Sequence, residues 1–198
     1  MAGRDPLTPE DLELLVTPSK EIEARHRSFC FERDKFETRI CGGERWQQLL
    51  QAHLYFDHVV TQILLDALPD PDSINVRRIG FAQKLQFVSA MALLPEELIA
   101  PIEFINGLRN KIAHVLDFEI ADAAVVDLAN CTPKWIREIA ETEDGRSAGP
   151  LLFREILRIA LFQAEVCRQR AQVNRVLARK STLRLGAVLG GLKVPIIE

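Results

Sequence analysis

The sequence predicts an all-α protein: an up-and-down-like helical bundle with an N-terminal helical arm, a basic C-terminal helix and an apolar tail. Three observations point there. Apolar residues recur at helical spacing along most of the chain, most clearly over residues 44–68. Proline and glycine fall between the periodic segments and act as punctuation. Only Val115 to Ile120 alternates like a strand, and six residues do not make a sheet alone. The expected organisation is an arm over 1–41, a bundle over 42–182 and a tail over 183–198.

The elements follow in order. Thr8 caps a short helix whose first position is Pro9, where a missing N–H costs nothing. Thr17-Pro18-Ser19 separates it from a charged helix over about 19–39, which Cys41-Gly42-Gly43 breaks. A long amphipathic helix then runs from about Glu44 to Leu68, with Trp46, Leu49, Leu50, His53, Phe56, Val60, Ile63, Leu64 and Ala67 at helical spacing. Pro69-Asp70-Pro71-Asp72-Ser73 reads as a turn. Helices are expected over about 79–92, 95–100 and 101–116, followed by a short extended piece at 115–120. Two more follow, over 122–130 and from Thr132-Pro133 to about Glu141 with Thr132 as cap. The polar stretch 143–149 is a loop, and a final helix spans 150 to about Lys180.

A chain of 198 residues, 47% hydrophobic and 27% charged, is large enough for a substantial core. Its apolar runs fall short of the 18 or more residues that roughly define a membrane span, and Met1 to Pro6 lacks an apolar signal region. The expectation is a cytoplasmic protein with no membrane contact. Cys30, Cys41, Cys131 and Cys167 form no C-x-x-C pair, and His26, Cys30 and Cys41 fit no standard zinc spacing, so buried free thiols and no metal or other cofactor are expected. There is no glycine-rich phosphate loop, no G-x-S-x-G and no H-E-x-x-H.

The chemistry is concentrated in Leu108-Arg109-Asn110-Lys111-Ile112-Ala113-His114-Val115-Leu116-Asp117. A neutral imidazole takes a proton from a ribose 2'-hydroxyl near neutral pH. An arginine forks two donors onto a phosphate whose charge grows in the transition state. With the 2'-hydroxyl as nucleophile, these groups cut RNA without a bound metal. On an ideal helix Asn110 and His114 stack on one face, extended by Asn106 and Asp117, while Phe104, Leu108, Ile112 and Val115 form the opposing apolar stripe. Arg109 lies five residues before His114, roughly 140° round the axis, so it reaches round with its long side chain or meets the histidine of a second copy. The bland alternative is a solvated helix edge with His114 near the negative end of the helix dipole.

Arg109-Asn110, three residues and His114 together resemble the R-[polar]-x(3-5)-H signature of the HEPN superfamily, helical-bundle proteins that include ribonuclease toxins of toxin-antitoxin and phage-defence systems. The lead-in Ile79-Gly80-Phe81-Ala82-Gln83-Lys84-Leu85, continuing through Met91-Ala92-Leu93-Leu94-Pro95-Glu96-Glu97-Leu98, is similar to the approach to that motif in the regulator-like branch. The resemblance covers about residues 46–116. It implies a homodimer in which two motifs face each other and leave a 2',3'-cyclic phosphate. By the same resemblance His114 is the general acid or base, Arg109 binds and polarises the phosphate, and Asn110 orients the attacking or leaving group. An acidic-and-basic motif that some members carry on an earlier helix is not placed in this chain. Other members have lost catalysis and act as binding modules, which makes a silent regulator of a protein or nucleic acid the alternative expectation.

The net charge of −3 hides a basic end: between Val166 and Ile197 there are seven basic residues and no acidic one. Arg168, Arg170, Arg175, Arg179 and Lys180 are the expected nucleic-acid contacts, suited to an RNA backbone or an acidic partner; a solvated helix face accounts for them equally. The apolar tail from Leu183 to Ile197 is expected to dock on the bundle or on another subunit, which favours a homodimer or higher homo-oligomer. An antitoxin or regulatory protein is a further expected partner. His53 falls among apolar positions and reads as a satisfied core histidine, and Glu96 and Glu97 as first-turn acids.

Overall fold

The computed structural model describes residues 7–144 and 150–189, and among them every regular element is helical. The chain forms two compact units, one of residues 1–28 with 169–198 and one of residues 29–168. The expected division at 41 and 182 therefore shifts, because the helix before Gly42 belongs to the larger unit.

In the smaller unit, α1 (Pro9–Val16) starts as its residues dictate: Thr8 N–H donates to Asp11 Oδ2 at 3.1 Å, and Asp11 N–H donates to Thr8 Oγ1 at 3.2 Å. After Pro18 comes α2 (Ser19–Arg25). The expected helix over 19–39 is thus two helices, since residues 26–32 are not helical. His26 closes α2 by donating from Nδ1 to the Ile22 carbonyl at 2.8 Å.

In the larger unit the reason for the break is visible at Phe29 and Phe31. Both rings pack edge-on, Phe29 against Phe162 and Phe31 against Phe36 and Tyr55. Side chains take over the hydrogen bonds that a helix would have made. Cys30 N–H donates to Glu165 Oε1 at 3.0 Å, and His58 Nε2–H donates to the Cys30 carbonyl at 2.9 Å.

After the break, α3 (Arg33–Cys41) buries Phe36 and Ile40 completely and stops at Gly42. Gly43 adopts φ +80°, and a Cβ there would lie 2.2 Å from Gln47 Oε1, so this turn requires glycine. That side chain accepts the Glu44 N–H at 2.8 Å and starts α4 (Arg45–Ala67). The helix expected over 44–68 is present, with Leu49, Phe56, Val60, Ile63 and Leu64 buried; Trp46 stays partly exposed. As the central element, α4 packs against α3, α5 (Phe81–Ala90) and α6 (Glu96–His114).

α6 is one helix where two were expected. Pro101 sits inside it, buried, and removes only the bond to the Glu97 carbonyl while its ring fills the core. The helix ends at His114, earlier than the expected 116: Val115 is extended and Asp117 adopts the left-handed φ of 58°. No strand forms at 115–120 among the described residues. α7 (Asp122–Cys131) and α8 (Lys134–Asp144) follow. Thr132 does not cap α8 as expected; its hydroxyl donates back to the Leu128 carbonyl at 2.7 Å and closes α7.

α9 (Pro150–Leu189) is longer than the expected 150–180, so the first part of the apolar tail is helical. Residues 190–198 of that tail and 145–149 of the expected loop lie outside the described residues. Phe153, Ile156, Leu157, Ala160, Leu161 and Ala164 are fully buried and complete the core of the larger unit.

Candidate functional site: the two sides of helix α6

The expected motif occupies the last turn and a half of α6. Arg109 is half-buried, Asn110 and His114 are exposed, and Arg109 Nη1 donates to Asn110 Oδ1 at 3.3 Å. No carboxylate pairs with Arg109 or His114 among the described residues. Two of the positions expected on the motif helix fall outside it, since Val115 and Asp117 lie beyond its end.

Within one chain the motif does not converge. Arg109 and Asn110 line a cleft of about 660 Å³ formed by α4, α5, α6 and the 3-10 turn Val76–Arg78. His114 instead lines a second cleft, of about 530 Å³, together with Trp46, Asp117 and Glu119. Leu116, 91% exposed, stands beside it.

The larger cleft also contains groups outside the expected motif. His53 is only 8% exposed, shares a 3.1 Å hydrogen bond between Nε2 and Asn106 Oδ1, and packs against the Phe81 ring with centroids 4.5 Å apart. It is a satisfied buried histidine, as expected, and it also lines the cleft. Burial pushes its pKa below the usual value of 6.5; the Asn106 bond opposes the shift and the charge of Arg109 adds to it. Because the folded pKa is lowered, the unfolded chain takes up this proton first as pH falls, and stability is lost below about pH 6.5. Denaturant titrations at pH 7.5 and pH 5 should show a larger stability loss for wild type than for His53→Gln. Equal losses would mean that His53 titrates alike in both states.

Lys84 and Asp57 also meet in this cleft, at 2.8 Å, with the lysine side chain only 3% exposed. A signal for them existed in the sequence: Lys84 shares the helical phase of Phe81, Leu85 and Val88, so a lysine occupies an apolar face. Arg77 joins from the 3-10 turn, and no local pattern marks it.

The expected nucleic-acid contacts on α9 divide. Arg168 is 6% exposed and donates to Glu165 and Asp66, at 2.6 Å from Nη2 and 2.9 Å from Nη1. Burial opposes its charge, but the bonds to Glu165 and Asp66 outweigh that and raise its pKa. Arg179 donates to Asp11 Oδ1 at 2.7 Å, and buried Lys180 donates to the Thr17 carbonyl. Arg168 and Lys180 are thus buried on internal partners, which corrects their assignment to an RNA-facing set, while Arg179 pairs with Asp11 from an exposed position. Arg170 and Arg175 are exposed.

The four cysteines carry no disulfide. Cys30 Sγ donates to Glu165 Oε2 at 3.1 Å, and burial, followed by the neighbouring carboxylate, pushes its pKa up to about 12, so it stays a thiol rather than a nucleophile at neutral pH. Among the described residues no three His, Cys, Asp or Glu side chains gather as a metal site, and no helix is long and apolar enough to cross a membrane.

Fold and site thus define an all-α protein with polar clefts on two sides of its motif-bearing helix. No family model, curated protein or solved structure matches the chain.

Proposed function

We propose that the chain is a metal-independent endoribonuclease of the HEPN type, acting as a cytoplasmic homodimer in a toxin or phage-defence role. The observation that carries this reading is the position of Arg109, Asn110 and His114 at the end of α6, outside the core and without a carboxylate partner among the described residues. In the reaction the ribose 2'-oxygen bonds to phosphorus as it loses its proton, and the bond to the 5'-oxygen breaks as that oxygen gains one. The products are a 2',3'-cyclic phosphate and a 5'-hydroxyl, and no water is consumed. His114 moves the proton and Arg109 holds the phosphate charge. A homodimer supplies the convergence that one chain lacks, because Arg109 of one copy then faces His114 of the other.

The test is incubation of purified wild-type protein with labelled single-stranded RNA and tRNA in EDTA, with end-group analysis. Cyclic-phosphate ends support the reading; intact RNA overturns it. The separation of Arg109 and His114 into two clefts favours a second reading, a catalytically silent HEPN-like module that binds RNA or a regulatory protein. A nuclease toxin is hard to express until His114 is changed, whereas the silent module is tolerated in either form.

A further inference from the structure

The larger cleft carries an excess of positive charge that the motif does not explain. Its lining includes Arg77, Lys84 and Arg109 but only one carboxylate, Asp57. That carboxylate is committed to Lys84 at 2.8 Å. Neither Arg77 nor Arg109 pairs with a carboxylate among the described residues. Two guanidinium groups therefore share a concave site with no internal counter-ion, and guanidinium forks match phosphate oxygens in geometry and charge. Leu50, Leu54 and Phe81 add an apolar wall of the kind a ribose or base covers.

We infer that this cleft holds the RNA backbone beside the cut, with Arg77 gripping a phosphate adjacent to the one that Arg109 contacts. The inference rests on the RNA-acting reading above and names the path of the strand. It places that path along α4 and α5 rather than along the α9 cations, two of which, Arg168 and Lys180, are buried on internal partners.

The test measures binding apart from cleavage. A labelled single-stranded hexanucleotide with 2'-O-methyl riboses has no nucleophile and survives any nuclease of this type. Its anisotropy is followed against salt with wild type, Arg77→Ala and Lys20→Ala, the last an exposed α2 cation outside the cleft. Arg77 is exposed, so its removal leaves the core untouched. Expected for Arg77→Ala are about tenfold weaker binding and a log–log salt slope smaller by about 0.7, the value for one phosphate contact on a single strand. Lys20→Ala binds as wild type. Equal affinity and slope for Arg77→Ala, no binding by wild type, or tighter binding of inorganic phosphate than of the strand would each overturn the inference. A protein that binds the methylated strand through Arg77 yet leaves ordinary RNA intact refutes the nuclease reading alone. One that cuts RNA with Arg77→Ala binding normally refutes this inference alone.

Discussion

Replacing Arg168 by alanine is expected to cost the fold about 3–5 kcal/mol, the usual penalty for removing one partner of a buried ion pair. The arginine bridges Asp66 on α4 and Glu165 on α9, and Glu165 is fully buried while also accepting from the Cys30 backbone. Without the guanidinium, a buried carboxylate loses its counter-charge and the non-helical segment around Cys30 loses its anchor. For a chain of this size that corresponds to a melting temperature lower by roughly 10 °C. Thermal and denaturant unfolding check it against Arg170→Ala, an exposed substitution expected to stay within about 0.5 kcal/mol of wild type. If the two variants unfold alike, the buried network does not support the larger unit.

The other large effect belongs to His114. Under the proposed mechanism His114→Ala lowers the rate of RNA cleavage by about 10²–10⁴-fold, the range for loss of a general acid or base. His114 is exposed at the end of α6, so the variant keeps the wild-type melting temperature. Single-turnover cleavage with matched unfolding curves separates chemistry from stability. A His114→Ala protein that cuts at the wild-type rate removes His114 from the reaction, whatever else the chain does to RNA.

Much of the fold was legible because local signals ran long. The 23 residues of α4 carry apolar spacing over six turns, with Gly42-Gly43 before and Pro69 after, and both ends fall where those signals put them. The break at 26–32 was not legible because partners distant in sequence decide it: Phe162 and Glu165 lie more than 130 positions from Phe29 and Cys30. Pro101 misled for the opposite reason. A local rule says that proline ends helices, yet near the start of α6 it costs one hydrogen bond and its ring is buried.

The candidate site divides in the same way. Arg109, Asn110 and His114 were readable as neighbours on one helix, and so they are. The helical angle already set Arg109 apart from His114, but Asn110, expected on the face of His114, lines the cleft of Arg109, because the neighbouring walls come from α4, α5 and the segment after His114. Arg168 and Lys180 drop out of the basic stripe because their partners Asp66 and Thr17 are far away in sequence.

The glycine at 43 has a reach much longer than its own turn. It leaves room for the Gln47 side chain to accept the Glu44 amide at the N-cap of α4. That turn carries the chain from α3 into the helix that bears both His53, bonded to Asn106, and Asp57, paired with Lys84. Two polar groups of the larger cleft thus stand on a helix whose entry is a left-handed backbone position that a side chain would strain.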